Sequence, residues 1–600
     1  MAKVSRKKRY QTTPLPFHED LSKFAIPYTP EKFSREELRF LNPFFSNTDK
    51  PIFVVQHLPE EVIGALSSRY SRATQSLRRL FLKEYIDPII NPEKQKDWET
   101  LALKERKESF ETRKALLEMI EILNSGGGID KIVNIQRGRK FFDTWLAQYG
   151  DDSIAELGGI HMCIEGLSMV ATKELQDKRV GISPLEKSTR YVQYWEKRID
   201  GEYQYYVPGE LKGTEFEKEY VAVMNDLFDT YSNSAEGYMG YIKGLYPKGE
   251  DETPRSFNGS RGAKRFDDIR DLLPFSTQTN CAFYGNGRAF EDLITRCLAH
   301  PLGEIRWWGQ QICLELEHVV PSFVKRPQTE RGAESQLYRS NIQIVREELA
   351  RKNLYKKLSK PQKWTSLVSY TSDADVEVLA TYLFSGLTGV SLKDIYKQVK
   401  RMGKTKRKQL LTEILNERKF GKKSAERPEM RFRKVPRAFE NAHYLFELWA
   451  RGGDYRDLQR HRQLTQDRQM FTTLWGYDLE REVLKSPYIS DFKKVLSRAD
   501  KFYRKIAKVM PHVAQYIVPF AYLQHWYFDV TAREVYWIIE LRTGPQGRPH
   551  YRAICQDMAK KAIEASPALF QMLMTDWNDY SLSRRESEKK IDKKLKALGK

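Results

Sequence analysis

The sequence predicts a mixed α+β protein built as two tandem copies of one fold. Three observations predict it: a length too great for one core, pairs of similar segments in the same order, and strand-like runs that pass into helix-like ones within each pair. Six hundred residues imply two or more domains. A composition of 40% apolar, 12% aromatic and 30% charged residues is that of a globular, soluble chain.

Residues 53–71, FVVQHLPEEVIGALSSRYS, read as a short apolar strand, a turn, and a helix with acidic residues in its first turn. Residues 367–385, LVSYTSDADVEVLATYLFS, have the same length and plan, with Ser372 or Asp373 as N-cap. Residues 153–194 align with 438–477. In both, a glutamate (Glu156, Glu440) precedes an apolar strand-like run, then a glycine break and a helical segment ending in cations. Residues 270–288, RDLLPFSTQTNCAFYGNGR, match 515–533, QYIVPFAYLQHWYFDVTAR. Each is nineteen residues long, carries Pro-Phe at its fifth and sixth places, ends in arginine and runs into an amphipathic helical stretch.

Three ordered pairs define a duplication. Its parts are a basic N-terminal extension (1–44), repeat one (45–330), a linker (331–360), repeat two (361–575) and a basic C-terminal tail (576–600). Repeat one carries extra material near 75–150 and 195–265; within the latter, YPKGEDETPRSFNGSRGAKR reads as an exposed loop. Residues 340–365 and the basic run near 395–430 read as helical connectors.

Several classes are excluded. No run of about 18 apolar residues indicates a membrane span, and the start lacks the apolar stretch of a secretory signal. The five cysteines form neither CxxC nor a zinc spacing, which fits reduced, buried thiols in the cytoplasm, and no metal site is indicated. The net charge of +21 gathers in the N-terminal tail, at 397–409 and in the C-terminal tail. Such runs are solvated tails or helix faces, with nucleic-acid binding as the alternative. His161, on an apolar strand, reads as a satisfied core histidine, and the Trp-rich stretches 306–312 and 524–530 read as core.

The chemistry concentrates in two stretches. Residues 456–472, RDLQRHRQLTQDRQMFT, set Arg460, His461 and Arg462 before Thr465. Arginines so clustered suit an anionic ligand, because the guanidinium fork donates two parallel bonds and stays charged. The alternative is a solvated helix face, with Asp457 four residues before His461 and Arg456 four before Arg460. Residues 183–191 of repeat one read SPLEKSTRY.

Taken together, these stretches resemble the signature of flavin-dependent thymidylate synthases: Arg-His-Arg, a short gap, Ser, then Glu-x-Ser-x-Arg-Tyr. The upstream glutamate, an Arg-x3-Pro segment and a downstream Asn-x-Arg occur in the same order. The resemblance covers about four fifths of the chain and implies helices packed on a mainly antiparallel sheet. It implies conversion of dUMP to dTMP with FAD as cofactor and NADPH and methylenetetrahydrofolate as co-substrates. It also implies sites that draw residues from several chains of a homotetramer, which a homodimer of this duplicated chain would imitate.

The copies depart from the signature in opposite ways. Repeat one keeps Ser183, Glu186, Ser188, Arg190, Tyr191, Arg270, Asn286 and Arg288, with Arg296 shifted by one, but its triplet is Asp177-Lys178-Arg179. Repeat two keeps the cation triplet, Arg533 and Arg542, but has Arg468 for the glutamate, Met470 and Thr472 for the serine and arginine, Gln515 for Arg270 and Thr531 for Asn286.

The resemblance then implies catalytic roles for Ser188, Arg190, Arg296 and Arg542, the last two as candidates for holding the pyrimidine edge. Glu186, Ser183 and Arg270 would bind substrate. Arg460, His461, Arg462, Thr465, Glu440, Asn286, Arg288 and Arg533 would bind cofactor. The first reading is an enzyme whose active site is shared between the repeats, repeat one giving the nucleotide side and repeat two the flavin side. A second is a catalytically inactive homologue that binds flavin or nucleotide or serves structurally. A third adds nucleic-acid binding by the basic tails.

Overall fold

In a computed structural model describing residues 19–125, 139, 152–177, 180–354, 364–419, 431–580 and 582–597, each repeat forms one four-stranded antiparallel sheet. The first contains β1 (Ile52–Val55), β2 (Gly159–Ser168), β3 (Ile182–Glu186) and β4 (Gln278–Asn286), in the order β1-β2-β4-β3. The second contains β5 (Thr365–Tyr370), β6 (His443–Arg451), β7 (Leu464–Arg468) and β8 (Leu523–Thr531), in the order β5-β6-β8-β7. The same order twice is the duplication in three dimensions.

Register makes the equivalence residue by residue. Gly159 pairs with Asn286 and His443 with Thr531, while Ser183 faces Tyr284 and Thr465 faces Asp529. Glu186 faces Cys281 and Arg468 faces Trp526, so Ser183 corresponds to Thr465 and Glu186 to Arg468. A slip of one residue would turn every side chain to the other face, so burial fixes this pairing. On β8, Trp526, Phe528 and Val530 are buried, while His525, Tyr527 and Asp529 lie on the opposite face. His161 obeys the same alternation and corrects the core reading: Ile160 and Met162 point inward, whereas His161 is half-buried, 2.8 Å from Glu60 and against the Tyr284 ring.

Each sheet passes into a helix through a side-chain cap. Asn286 caps Gly287–Leu298 and Thr531 caps Ala532–Arg542, each accepting the backbone N–H three residues on. Trp307, Trp308 and Trp526 are core, and all five cysteines are free and buried. Among the described residues no helix is long and apolar enough to cross a membrane.

The chain divides into two compact units. Unit 1 holds Met1–Met224, Phe275–Lys357 and Met510–Tyr516; unit 2 holds Asn225–Pro274, Leu358–Val509 and Ile517–Lys600. Part of repeat one's insertion therefore belongs to unit 2. Of the stretch read as an exposed loop, 246–253 is loop and turn, and the rest belongs to a helix, Pro254–Ile269, with Thr253 as N-cap and proline in its first turn. Its cations are consumed internally: Arg261 Nη2 lies 3.0 Å from Glu252 and Lys264 Nζ 2.9 Å from Glu482, all buried. Pro, Gly and Ser marked a cap and close packing there, not a turn. The C-terminal helix Arg585–Ala597 belongs to the same unit, with Asp592 accepting from Thr253 (2.6 Å) and Arg255 (2.8 Å). The basic stretch 397–409 lies in the helices Leu392–Arg401 and Lys404–Asn416, while the basic residues of the N-terminal tail fall outside the described residues.

Candidate functional site

In unit 2, β6 runs into the helix Gly452–Leu458, and the cation triplet occupies the turn between that helix and β7. The triplet does not lie on a helix face, although its two arginines are solvent-exposed as the solvated reading expects. Arg456 is buried over the Phe520 ring (5.1 Å), and Asp457 lies 3.6 Å from Arg270. Arg460 and Arg462 are exposed, and His461 between them is buried.

His461 is held from both sides. Its Nε2 accepts from Arg542 Nε at 3.0 Å, and its Nδ1 lies 3.1 Å from Glu534 Oε1. Because the arginine N–H must donate, Nε2 carries a lone pair and the ring proton sits on Nδ1, donated to Glu534. Burial, then the neighbouring charge of Arg542, holds the imidazole well below its ordinary pKa. Burial also pushes the Glu534 carboxyl up to about 7, against the opposing charges of Lys434 and Arg533.

No hydrogen bond or ion pair joins the terminal nitrogens of Arg542, or any nitrogen of the Arg460 side chain, to a described residue. These are donors left over for an anionic ligand, and in this respect the residues fit a phosphate-bearing cofactor. Thr465 is exposed on β7, and with Arg468, Glu447, His525, Tyr527 and Asp529 it borders a cavity of about 500 Å³. Arg270 belongs to this unit, buried 3.5 Å from Asp267 and 3.6 Å from Asp457, and so is not grouped with Ser188 and Arg190.

In unit 1, Glu186 ends β3 and is buried. Lys173 Nζ lies 2.7 Å away and Gln176 Nε2 donates at 3.2 Å, both from the helix Met169–Gln176. Its carboxylate therefore ties strand to helix. Ser188 starts a turn: its N–H donates to the Ser71 carbonyl (2.9 Å), its carbonyl accepts from Tyr191 and Val192, and its Oγ accepts the Arg190 N–H (3.3 Å). That turn buries Arg190 and leaves Tyr191 exposed beneath the Arg72 guanidinium, 5.6 Å from its ring centre. Between Glu186 and Ser188 sits Lys187, buried, donating to the Thr74 carbonyl (3.3 Å), its amine pushed down to about 8 by burial. Ser183 is exposed on β3. Of the triplet Asp177-Lys178-Arg179, the last two lie outside the described residues.

The remaining candidates serve the frame of each unit. Asn286 is engaged as a helix cap, its Oδ1 accepting from Ala289 at 2.8 Å. Arg288 pairs with Glu156 at 2.6 Å and Arg533 with Glu440 at 2.7 Å, the same clamp in both repeats. Arg296 is half-buried on Gly287–Leu298, with no ion pair to a described residue.

The structure thus brings together Arg460, His461, Arg462 and Arg542 in unit 2, and Glu186, Ser188 and Arg190 in unit 1. Lys173, Gln176, Lys187 and Glu534 were not anticipated. Only Glu534 left a trace, as the fourth residue of Thr531-x-x-Glu534, a spacing that signals a helix start. Its carboxylate turns to His461 rather than back to the cap.

The fold defines a duplicated α+β protein with one four-stranded antiparallel sheet in each copy. The chain belongs to the thymidylate synthase complementing protein family, the flavin-dependent thymidylate synthases, whose pattern matches residues 117–322 and again 366–568. It is 35% identical over 561 residues to a UPF0159 protein of Chlamydia muridarum, a match covering 93% of this chain and 98% of the relative. A UPF0159 protein of Chlamydia pneumoniae is 34% identical, with the same shares covered. One of Thermoplasma acidophilum is 30% identical over 493 residues, 78% of this chain and 94% of the relative.

Proposed function

We propose that this protein is an FAD-dependent thymidylate synthase of the cytoplasm that converts dUMP to dTMP with methylenetetrahydrofolate and NADPH. Unit 2 takes flavin and, through Arg542, the pyrimidine edge, unit 1 takes the nucleotide through Arg190, and a homodimer stands in for the family's tetramer. One observation carries the reading: the cation triplet and the Glu-x-Ser-x-Arg-Tyr segment are each kept by one copy and lost by the other. The cation triplet survives at 460–462, and Glu-x-Ser-x-Arg-Tyr survives at 186–191.

Bound FAD would supply the hydride that reduces the transferred one-carbon unit. Arg460 and Arg462 would take its pyrophosphate, and the neutral His461 adds no repulsion to that pair. Arg190 would hold the nucleotide, its guanidinium oriented by the Ser188 turn. Ser188 would position rather than attack, since its Oγ already accepts a backbone N–H and no histidine is bonded to it to raise its nucleophilicity. Arg542 would donate to the pyrimidine edge as negative charge develops there.

Purified protein should be yellow and should bleach with NADPH, and incubation with dUMP and methylenetetrahydrofolate should yield dTMP. Arg460→Ala should strip flavin at least tenfold, whereas Arg190→Ala should weaken dUMP binding with flavin retained. Colourless protein that binds neither ligand would remove this reading. A second reading, flavin and nucleotide binding without turnover, is supported by the engagement of Glu186 with Lys173. Bound flavin with no dTMP formed would select it.

A further inference from the structure

We propose that Glu534 and His461 are positioning residues that fix Arg542 as an end-on donor, restricting it to a planar group that offers two acceptors side by side, such as a carboxylate or an imide edge that has lost its N–H proton. The inference rests on the role given above to Arg542 and adds its geometry and its specificity.

The argument begins with donors. A guanidinium has five N–H groups and grips a carboxylate-like edge in two ways: side-on through Nε and one terminal nitrogen, or end-on through both terminal nitrogens. Arg542 Nε is spent on His461 Nε2 at 3.0 Å, so the side-on grip is closed and the end-on grip remains. The imidazole cannot swing away, because it is buried and its other nitrogen is anchored 3.1 Å from Glu534.

His461 lies in the turn after Gly452–Leu458, and both its partners lie on Ala532–Arg542. Each link has one direction. Arginine donates to Nε2, and Nδ1–H donates to the carboxyl, so the chain of bonds holds only while the ring is neutral. A second proton on the ring would point an N–H at an N–H and release Arg542. The groups around this chain are Arg542 on one side and Glu534 on the other, with Lys434 and Arg533 acting on Glu534. The backbone adds Gln466 Nε2 on the His461 carbonyl at 3.5 Å.

The decisive measurement is of the ring itself. In full-length protein carrying 15N-histidine, one resonance, assigned by its loss in His461→Gln, should keep the neutral Nδ1–H tautomer from pH 8 down to pH 5. Titration of that resonance near 6.5 would overturn the proposal. The second measurement is affinity for dUMP in protein already loaded with FAD. His461→Ala should weaken it at least tenfold. His461→Gln, whose side-chain oxygen still accepts from Nε, should stay within about threefold of wild type. Glu534→Gln keeps an acceptor for Nδ1–H and should likewise stay within about threefold of wild type. Equal losses in the Ala and Gln variants at 461, with unchanged melting temperatures, would overturn the proposal. Wild-type protein that binds neither FAD nor dUMP would defeat the reading under Proposed function, and the imidazole resonance would still decide whether the brace exists.

Discussion

At the end of its long central strand each unit turns into a helix over a buried polar spot, and the two spots have opposite chemistry. Ser168 ends β2 opposite Gln278 and Arg451 ends β6 opposite Leu523, partners that precede the caps Asn286 and Thr531 by the same interval. In unit 1 a lone carboxyl, Glu304, accepts from the Ser168 N–H (3.1 Å), Ser168 Oγ (2.7 Å) and the Tyr516 hydroxyl (2.7 Å). Burial pushes it up to about 7, partly offset by those hydrogen bonds.

In unit 2 the spot is a network of ions. Arg451 reaches Glu480 (2.8 Å), Asp454 (3.0 Å) and Asp271 (3.2 Å), and Arg548 reaches Asp271 (2.7 Å) and Glu480 (3.0 Å). His550 Nδ1 lies 2.5 Å from Asp454. Burial opposes ionisation, yet Arg548 and Arg451 overcome it and hold Asp454 well below the usual carboxylate range. One backbone plan therefore accepts either a proton-holding carboxyl among hydroxyls or a set of charges that must stay complete. Networks of the second kind are not more stabilising than apolar packing, but removing one member strands the others in a dry interior.

The contrast can be broken most severely at Arg548. Arg548→Met should leave Asp271, Asp454 and Glu480 short of a cation and cost about 3–5 kcal/mol, read by chemical denaturation. A loss under about 1 kcal/mol would mean the charges are not mutually dependent. Titration sharpens the contrast next. The folded value of Glu304 near 7 lies above its unfolded value of about 4.3, so the native state keeps a proton that the unfolded chain has lost. Its contribution is full below about pH 4.3 and falls as pH rises toward 7, by about 4 kcal/mol in all.

Glu304→Gln should remove that share of the slope; Glu534 and Asp268, also raised to about 7, should keep a remainder. Asp454 has the opposite sign, with stability present above about pH 4 and lost as pH falls through its depressed value. Asp454→Asn should therefore lower stability at neutral pH, where its charge contributes, and flatten the loss on the acid side. The smallest effect belongs to what the units share. Glu156→Ala and Glu440→Ala break the same half-exposed clamp and should each cost under about 1 kcal/mol.

Much of this was legible in the sequence because it is local and occurs twice. Short apolar runs marked the strands, acidic residues in a first turn marked a helix, and the paired spacing matched Thr465 with Ser183 before any register was known. What stayed hidden depends on partners distant in the chain. Glu186 reads as a ligand-binding carboxylate until Lys173 is seen beside it, and His461 reads as one of three cations until Glu534 and Arg542 close on it. Composition misled where it stood in for packing: the Gly, Pro and Ser of 247–262 signalled a loop, which holds to Thr253, yet from Pro254 the cap and the Arg261–Glu252 pair make a helix. The assignment of 225–274 to unit 2 and 510–516 to unit 1 is written in no local window at all.

That crossed assignment has a genetic consequence. A gene cut in the linker near residue 360 would yield two polypeptides, each lacking a stretch that its own sheet's unit contains: the first without Met510–Tyr516, the second without Asn225–Pro274. Neither piece should persist when produced by itself, whereas joint production should restore both, so a split gene would survive only if its two products were made together.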